Sequence, residues 1–184
     1  MRISETSPAQ HPWYLQPFFW NQRRKYGQVL KPSLVWARVP GLFLALAAFH
    51  GVLNRRRSPL PPALRSLVMA RIAQINHCEF CIDFNAATLA RRQGSPERIG
   101  TLAAWRDHPQ FDAIERAALE YAEAMTYPDR GVSDALAAEV RRHFTEDEVV
   151  ELTALVALQN LSSKFNAALG VPAQGFCPVR RDRA

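Results

Sequence analysis

Two of the three cysteines of the 184-residue chain stand three residues apart in the stretch Asn76-His77-Cys78-Glu79-Phe80-Cys81-Ile82-Asp83-Phe84-Asn85. A C-x-x-C pair can open and close a disulfide, contribute to a metal site, or fill core space as two small apolar side chains. Its place in the chain bears on which. Upstream, Pro61-Pro62 opens a run in which Leu64, Leu67, Val68, Ile72 and Ile75 fall on one face at helical spacing. Asn76-His77 interrupts that run. A second pattern then goes from about Cys78 to Gln93 and meets Gly94, a residue suited to the left-handed turn after a helix.

The pair is thus expected in the first turn of a helix, where free backbone N–H groups and the positive end of the macrodipole favour a thiolate. Residues three and four apart share a helix face, so Cys78, Cys81 and Ile82 lie together and Asn85 follows one turn beyond Cys81. A reversible disulfide across one turn is sterically reasonable; simple packing is the alternative. Zinc wants four ligands. His77, Cys78 and Cys81 offer three and Cys177 is far off in the chain, so neither a metal nor a bound cofactor is expected.

The elements that must position these thiols read as helices. Hydrophobic residues make up 48% and charged residues 22% of the chain, an ordinary globular balance, and the scarcity of Val/Ile/Thr alternation argues against sheets. The expectation is one all-α domain over 1–184: an aromatic-rich helical arm (1–57), a C-x-x-C core (58–172) and a tail (173–184). Residues 1–12 read as a frayed polar terminus. Trp13, Tyr14, Phe18, Phe19, Trp20 and Tyr26 then crowd six rings together, to pack on the core or clasp a neighbouring subunit; Pro12 and Pro17 interrupt any long helix.

Pro32–Arg38 and Pro40–Leu53 read as helices, and Ser95-Pro96-Glu97 as the start of one that runs through Trp105. Phe111–Met125 is amphipathic, Ser133 caps a helix to His143, and Thr145-x-x-Glu148 is a capping box for the last helix, to Leu169. That last helix is apolar nearly all round and so is expected at the centre; Gln159, Asn160 and Asn166 within it either line a cavity or tie helices together. Cys177 follows in a Gly/Pro-rich tail, as a third redox thiol or an inert one.

Charge is uneven. Residues 1–107 hold 15 Lys and Arg against 5 Asp and Glu, and residues 108–184 hold 8 against 12, which suits packing of one half on the other, within or between subunits. The Arg23-Arg24-Lys25 and Arg55-Arg56-Arg57 clusters come without a recognition motif, so no nucleic-acid partner is expected. The first residues include Glu5 and no apolar signal region, and the apolar run Val39–Val52 is too short and too broken to span a bilayer. A cytoplasmic location is the expectation, and there a C-x-x-C is catalytic or metal-binding more often than a structural staple.

From Arg65 to Cys81 the sequence resembles the carboxymuconolactone decarboxylase-like superfamily, and most of all its branch of alkyl hydroperoxidase D-type proteins and peroxidase-related relatives. Tyr26-Gly27 with Pro32, Pro40-Gly41-Leu42-Phe43, the block Glu115 to Leu119, Gln159-Asn160-Leu161 and Phe165-Asn166 extend the resemblance over roughly residues 30–177. It implies an all-helical fold that assembles as dimers, trimers or hexamers. It also implies a cysteine pair that reduces organic hydroperoxides or exchanges with a small disulfide, recharged by a thiol reductant that the sequence does not identify. Carried onto this chain, Cys81 is the attacking thiol and Cys78 the resolving one.

The family's proton relay maps onto other residue types: its Glu twelve residues before the first cysteine is Ser66, its His between the cysteines is Phe80, and its His four residues after the second is Asn85. Ser and Asn do not accept protons near neutral pH. Activation of the thiol then falls to the helix N-terminus, His77, Glu79 or Asp83, the two carboxylates opposing a thiolate and a protonated His77 favouring it. Two other functions stay open: a redox-silent lactone decarboxylase-like enzyme, and a binding protein in which the cysteines only pack.

Overall fold

The computed structural model describes residues 1–93 and 97–177, and the regular structure among them is all helical, with no strand. The helices are α1 (Gln16–Tyr26), α2 (Lys31–Trp36), α3 (Pro40–Leu53), α4 (Pro62–Ile75), α5 (Glu79–Gln93), α6 (Glu97–Thr101), α7 (Ala113–Ala124), α8 (Asp134–His143) and α9 (Glu146–Ala168). Helix starts follow the local chemistry. Pro62 opens α4 at its first position, and Asp112, Ser133 and Thr145 cap α7, α8 and α9 by accepting the backbone N–H three residues on. The expected turn at Gly94 and helix start at Ser95-Pro96 lie outside the described residues. Beyond α6 the helix does not reach Trp105; it tightens into a 3-10 turn over Leu102–Ala104.

The centre is α4, packed against α5, α7 and α9. Leu64, Val68 and Ile72 meet Ala118 and Ala122 of α7 and Leu152 and Val156 of α9, while Leu67 and Ala70 face Leu89, Leu102 and Trp105. Sequence reasoning put α9 at the centre because it is apolar all round. It does run through the core, touching α3, α4, α5, α7 and α8 with Leu152, Leu155, Val156 and Leu158 fully buried, but one side stays open among the described residues, where Val150 is 68% and Leu161 50% exposed. The apolar helix α3 likewise buries only Phe43 and Leu53 and exposes Leu42, Phe49 and Val52.

The arm differs from expectation in two ways. Pro17 sits in the first turn of α1, where a missing N–H costs nothing, so it opens that helix rather than interrupting it. Residues 1–6 are not frayed: the Arg2 N–H donates to the Leu169 carbonyl (2.8 Å), Glu5 pairs with Lys31 (2.8 Å) and Arg38 donates to the Ser4 carbonyl (2.7 Å). Of the six rings, Phe19 is buried, whereas Trp13 and Trp20 stand open to solvent.

Because α4 is enclosed on every side, its polar residues need partners. The Arg65 guanidinium donates to the Leu53 carbonyl, and Arg71 Nε to Glu123 Oε1 (2.6 Å). Glu123, fully buried on α7, also accepts from Trp105 Nε1 (2.9 Å), Arg106 (2.7 Å) and Arg130 (3.2 Å). Burial alone would raise its carboxyl; the hydrogen bonds from Trp105, Arg106 and Arg71 outweigh that and hold it below the ordinary carboxylate range. A depressed carboxyl contributes stability that is complete above its unfolded value and is lost as pH falls through the folded one. Stability should therefore drop below about pH 4, and Glu123→Gln should lose about 3 kcal/mol at neutral pH because Arg71 is left buried and unpaired. Urea unfolding of both proteins at neutral and acid pH measures both effects, and the variant should show the smaller acid loss.

Candidate active site: the Cys78–Cys81 disulfide

Cys78 and Cys81 are joined as a disulfide with their Cα atoms 5.2 Å apart. The junction between α4 and α5 builds this. Asn76 ends α4 and His77 takes the left-handed conformation (φ +50°). The His77 N–H then donates to the Gln74 carbonyl (3.2 Å) and the Cys78 N–H to the Ala73 carbonyl (3.1 Å), the paired bonds of a Schellman ending. Cys78 in turn caps α5: its carbonyl accepts the Ile82 N–H (2.8 Å) and its Sγ accepts the Cys81 N–H (3.2 Å). One residue closes a helix and opens the next, and its sulfur occupies the acceptor position of an N-cap.

Both sulfurs are enclosed, Cys78 completely and Cys81 with 4% exposure. Val35 of α2, Phe80, Phe165 of α9, Val171 and Ile3 pack around them, so the cover comes from both the arm and the segment after α9. Each sulfur receives one N–H: Cys78 from the backbone of Cys81, and Cys81 from the side-chain amide of Asn166 on α9 (3.4 Å). Polar donors aimed at a sulfur favour its anionic form, so the arrangement suits a dithiol that must become nucleophilic.

The other residues singled out from the sequence have different partners. His77 is exposed, and among the described residues no hydrogen bond joins its ring to either sulfur. Ser66 is buried with its hydroxyl accepting from Arg92 (2.7 Å). Asn85 is buried and donates to the Met69 carbonyl (3.5 Å). Asp83 is buried and holds the segment after α9: its carboxylate accepts the N–H groups of Gln174 (2.9 Å), Phe176 (3.0 Å) and Cys177 (2.8 Å). Gln174 extends that strap to the arm, accepting from the Lys31 N–H (2.7 Å) and donating to Gln28 Oε1 (2.9 Å). Glu79 is exposed on the first turn of α5.

Cys177 is a free, buried thiol against Ala86 and Ala87. At about 100° per residue, positions 83, 86 and 87 lie on the far side of α5 from Cys81, so Cys177 cannot join the pair without unwinding the strap. Among the described residues no group of three or more His, Cys, Asp or Glu is arranged to hold a metal ion. No helix among them is long and apolar enough to cross a membrane.

Asn166 is the site residue that sequence reasoning placed only loosely. Its signal was polarity on an apolar helix, shared with Gln159 and Asn160. Asn160 proves to tie helices, bonded to Asn76 (2.8 Å) and Thr126 (3.0 Å), while Asn166 reaches a sulfur.

The strap is open to a direct check. With Cys78→Ser and Cys81→Ser as background, Asp83→Ala removes the acceptor of three backbone N–H groups. Alkylation of Cys177 should then speed up by about tenfold or more, measured by mass spectrometry of iodoacetamide-treated protein; an unchanged rate would mean that Asp83 does not secure the segment.

Comparison with known proteins bears on the whole arrangement. Residues 40–124 match the model of the carboxymuconolactone decarboxylase family. The chain is 47% identical over 173 residues to the uncharacterized protein YnjA of Escherichia coli (strain K12), covering 94% of this chain and 95% of that one. Among solved structures it superposes on the alkylhydroperoxidase AhpD core of an uncharacterized peroxidase-related protein from Ralstonia eutropha JMP134, with a TM-score of 0.86, 22% identity and coverage of 95% and 93%. It also superposes on the debrominase Bmp8, with a TM-score of 0.84, 17% identity and coverage of 98% and 96%. At those identities the likeness to the two structures is one of fold. The chain belongs to the carboxymuconolactone decarboxylase family and has the alkyl hydroperoxidase D-like helical fold.

Proposed function

We propose that the protein is a thiol-dependent oxidoreductase in which Cys78 and Cys81 cycle between dithiol and disulfide, with an organic hydroperoxide or a small disulfide as the oxidant. The observation that carries this is the cysteine pair itself, bonded at the start of α5 with Cys78 Sγ on the Cys81 N–H and Cys81 Sγ on the Asn166 amide. Cys81 is the attacking thiol and Cys78 the resolving one. Cys81 is the less enclosed of the two, and its sulfur has a side-chain donor of its own.

In the peroxide reaction the Cys81 thiolate attacks the terminal oxygen of the hydroperoxide. The O–O bond breaks, sulfur is oxidised to the sulfenic acid, and the alkoxide leaves and takes a proton from solvent. The Cys78 thiol then attacks the Cys81 sulfur, the S–O bond breaks, and water leaves as the disulfide forms. A dithiol reductant returns the pair through a mixed disulfide, itself becoming oxidised. A redox-silent decarboxylase has little to work with here, because Ser66, Asn85 and Asp83 are engaged by Arg92, the Met69 carbonyl and the strap. A general base must reach its proton at a matched pKa.

Self-association accompanies this reading. Exposed Phe49 and Val52 of α3 and Val150 of α9 line a groove of about 730 Å³ that also carries Asp147, Glu148 and the Arg55–Glu151 ion pair, a net acidic set. A second copy presents a basic arm with exposed Trp13 and Trp20 as the complementary surface. Val150→Asp should lower the oligomer order read by sedimentation velocity, while a wild type that sediments as a monomer removes the idea.

For the chemistry, reduced protein given a small organic hydroperoxide should lose the mass of two hydrogens. Cys78→Ser should instead trap a sulfenic acid at Cys81, detected with a dimedone probe, and Cys81→Ser should leave the peroxide untouched. If neither cysteine responds to hydroperoxides or to disulfide reagents, the oxidoreductase reading falls.

A further inference from the structure

Asn166 is buried to within 1% of its surface on a helix that could have carried leucine there. Its Nδ2 donates to Cys81 Sγ at 3.4 Å, and its Oδ1 is buried with no hydrogen-bond partner. Its own carbonyl accepts the Val171 N–H (2.9 Å) in the turn after α9, so its backbone is fixed beside the cysteines. An amide kept to tie helices satisfies both ends, as Asn160 does with Asn76 and Thr126. An amide with one end unpaired and the other on a sulfur is destabilising for packing alone.

Its value depends on the oxidation state of the sulfur. A disulfide sulfur accepts hydrogen bonds weakly, whereas a thiolate is a charged acceptor and strengthens the same contact. A donor to the charged form lowers the pKa of a thiol. Cys78 already has the Cys81 N–H for this purpose. Cys81 is the third residue of α5 with its own N–H given to Cys78 Sγ, and the positions that the resemblance would assign to its activation hold Ser66, Phe80 and Asn85, with Ser66 and Asn85 committed elsewhere. The geometry points to Asn166 as the residue that holds Cys81 as a thiolate in the reduced protein, a role that rests on Cys81 being the attacking sulfur. A neutral amide on α9, which neither takes nor gives a proton, thus supports the thiolate by hydrogen bonding, apart from the relay positions 66, 80 and 85.

The test reads each thiol alone. In a Cys78→Ser, Cys177→Ala background, the pH dependence of iodoacetamide alkylation gives the midpoint of Cys81; in a Cys81→Ser, Cys177→Ala background it gives that of Cys78. Asn166→Leu, close in size, and Asn166→Ser, which cannot overfill the site, should each raise the Cys81 midpoint by about one pH unit and leave Cys78 in place. If the leucine variant does not fold, the serine variant alone decides. A Cys81 midpoint that stays put, or two midpoints that move together, would overturn the proposal, since a purely structural role disturbs both thiols or neither. A wild type inert to every hydroperoxide and disulfide would sink the oxidoreductase reading, yet the same midpoints would still report on Asn166.

Discussion

The junction at Cys78 constrains the rest of the structure. With a three-residue link, Asn76, His77 and Cys78, α5 folds back along α4, and Cys78 supplies both the last hydrogen bond of one helix and the cap of the next. His77 bears the cost, standing at φ +50° where a side chain is unfavourable. The turn after α9 repeats the device: Gly170 is left-handed and the Val171 N–H returns to the Asn166 carbonyl. Both turns deliver their next residue, Cys78 or Val171, into the cluster around the disulfide. The redox pair thus lies where two helix endings converge.

Around that point the interior carries more polarity than its hydrophobic helices suggest. Arg71 and Glu123 join α4 to α7, Asn76 and Asn160 join the end of α4 to α9, and Asp83 joins α5 to the strap. Arg71, Glu123 and Asp83 are buried, and Asn76 and Asn160 are half-buried, so each is costly when unmatched and fixes one arrangement of its helices when matched. Asn166 Oδ1 has no partner, as Gln159 Nε2 on the same helix has none, but the other end of Asn166 lies on a cysteine sulfur, and that contact carries the functional weight.

What was legible in the sequence was local. Thr145-x-x-Glu148, Ser133 and Pro62 mark helix starts through bonds within one turn, and C-x-x-C marks a pair on one face by spacing alone. What stayed hidden was long-range. Arg71 and Glu123 are 52 residues apart, and Asp83 finds its partners more than 90 residues on. Nothing near Asp83 in sequence distinguishes a carboxylate beside a thiol from one beneath a strap. An all-round apolar helix implies full cover, and α9 has it on the side facing α4 while Val150 and Leu161 stay open among the described residues. The docking of residues 1–6 was equally out of reach, because its bonds go to the backbone of Leu169 and to the side chains of Lys31 and Arg38.

The strap also has a place in time. Cys177 follows Asp83 by 94 residues, so during synthesis the cysteine helix emerges well before the segment that encloses it. At ribosomal speeds that interval lasts roughly 5 to 20 seconds. Through it the two thiols stand on a nascent hairpin of α4 and α5, with neither Val171 nor Phe165 yet made to cover them. The pair meets the redox conditions of its surroundings openly at birth, and only later as an enclosed centre.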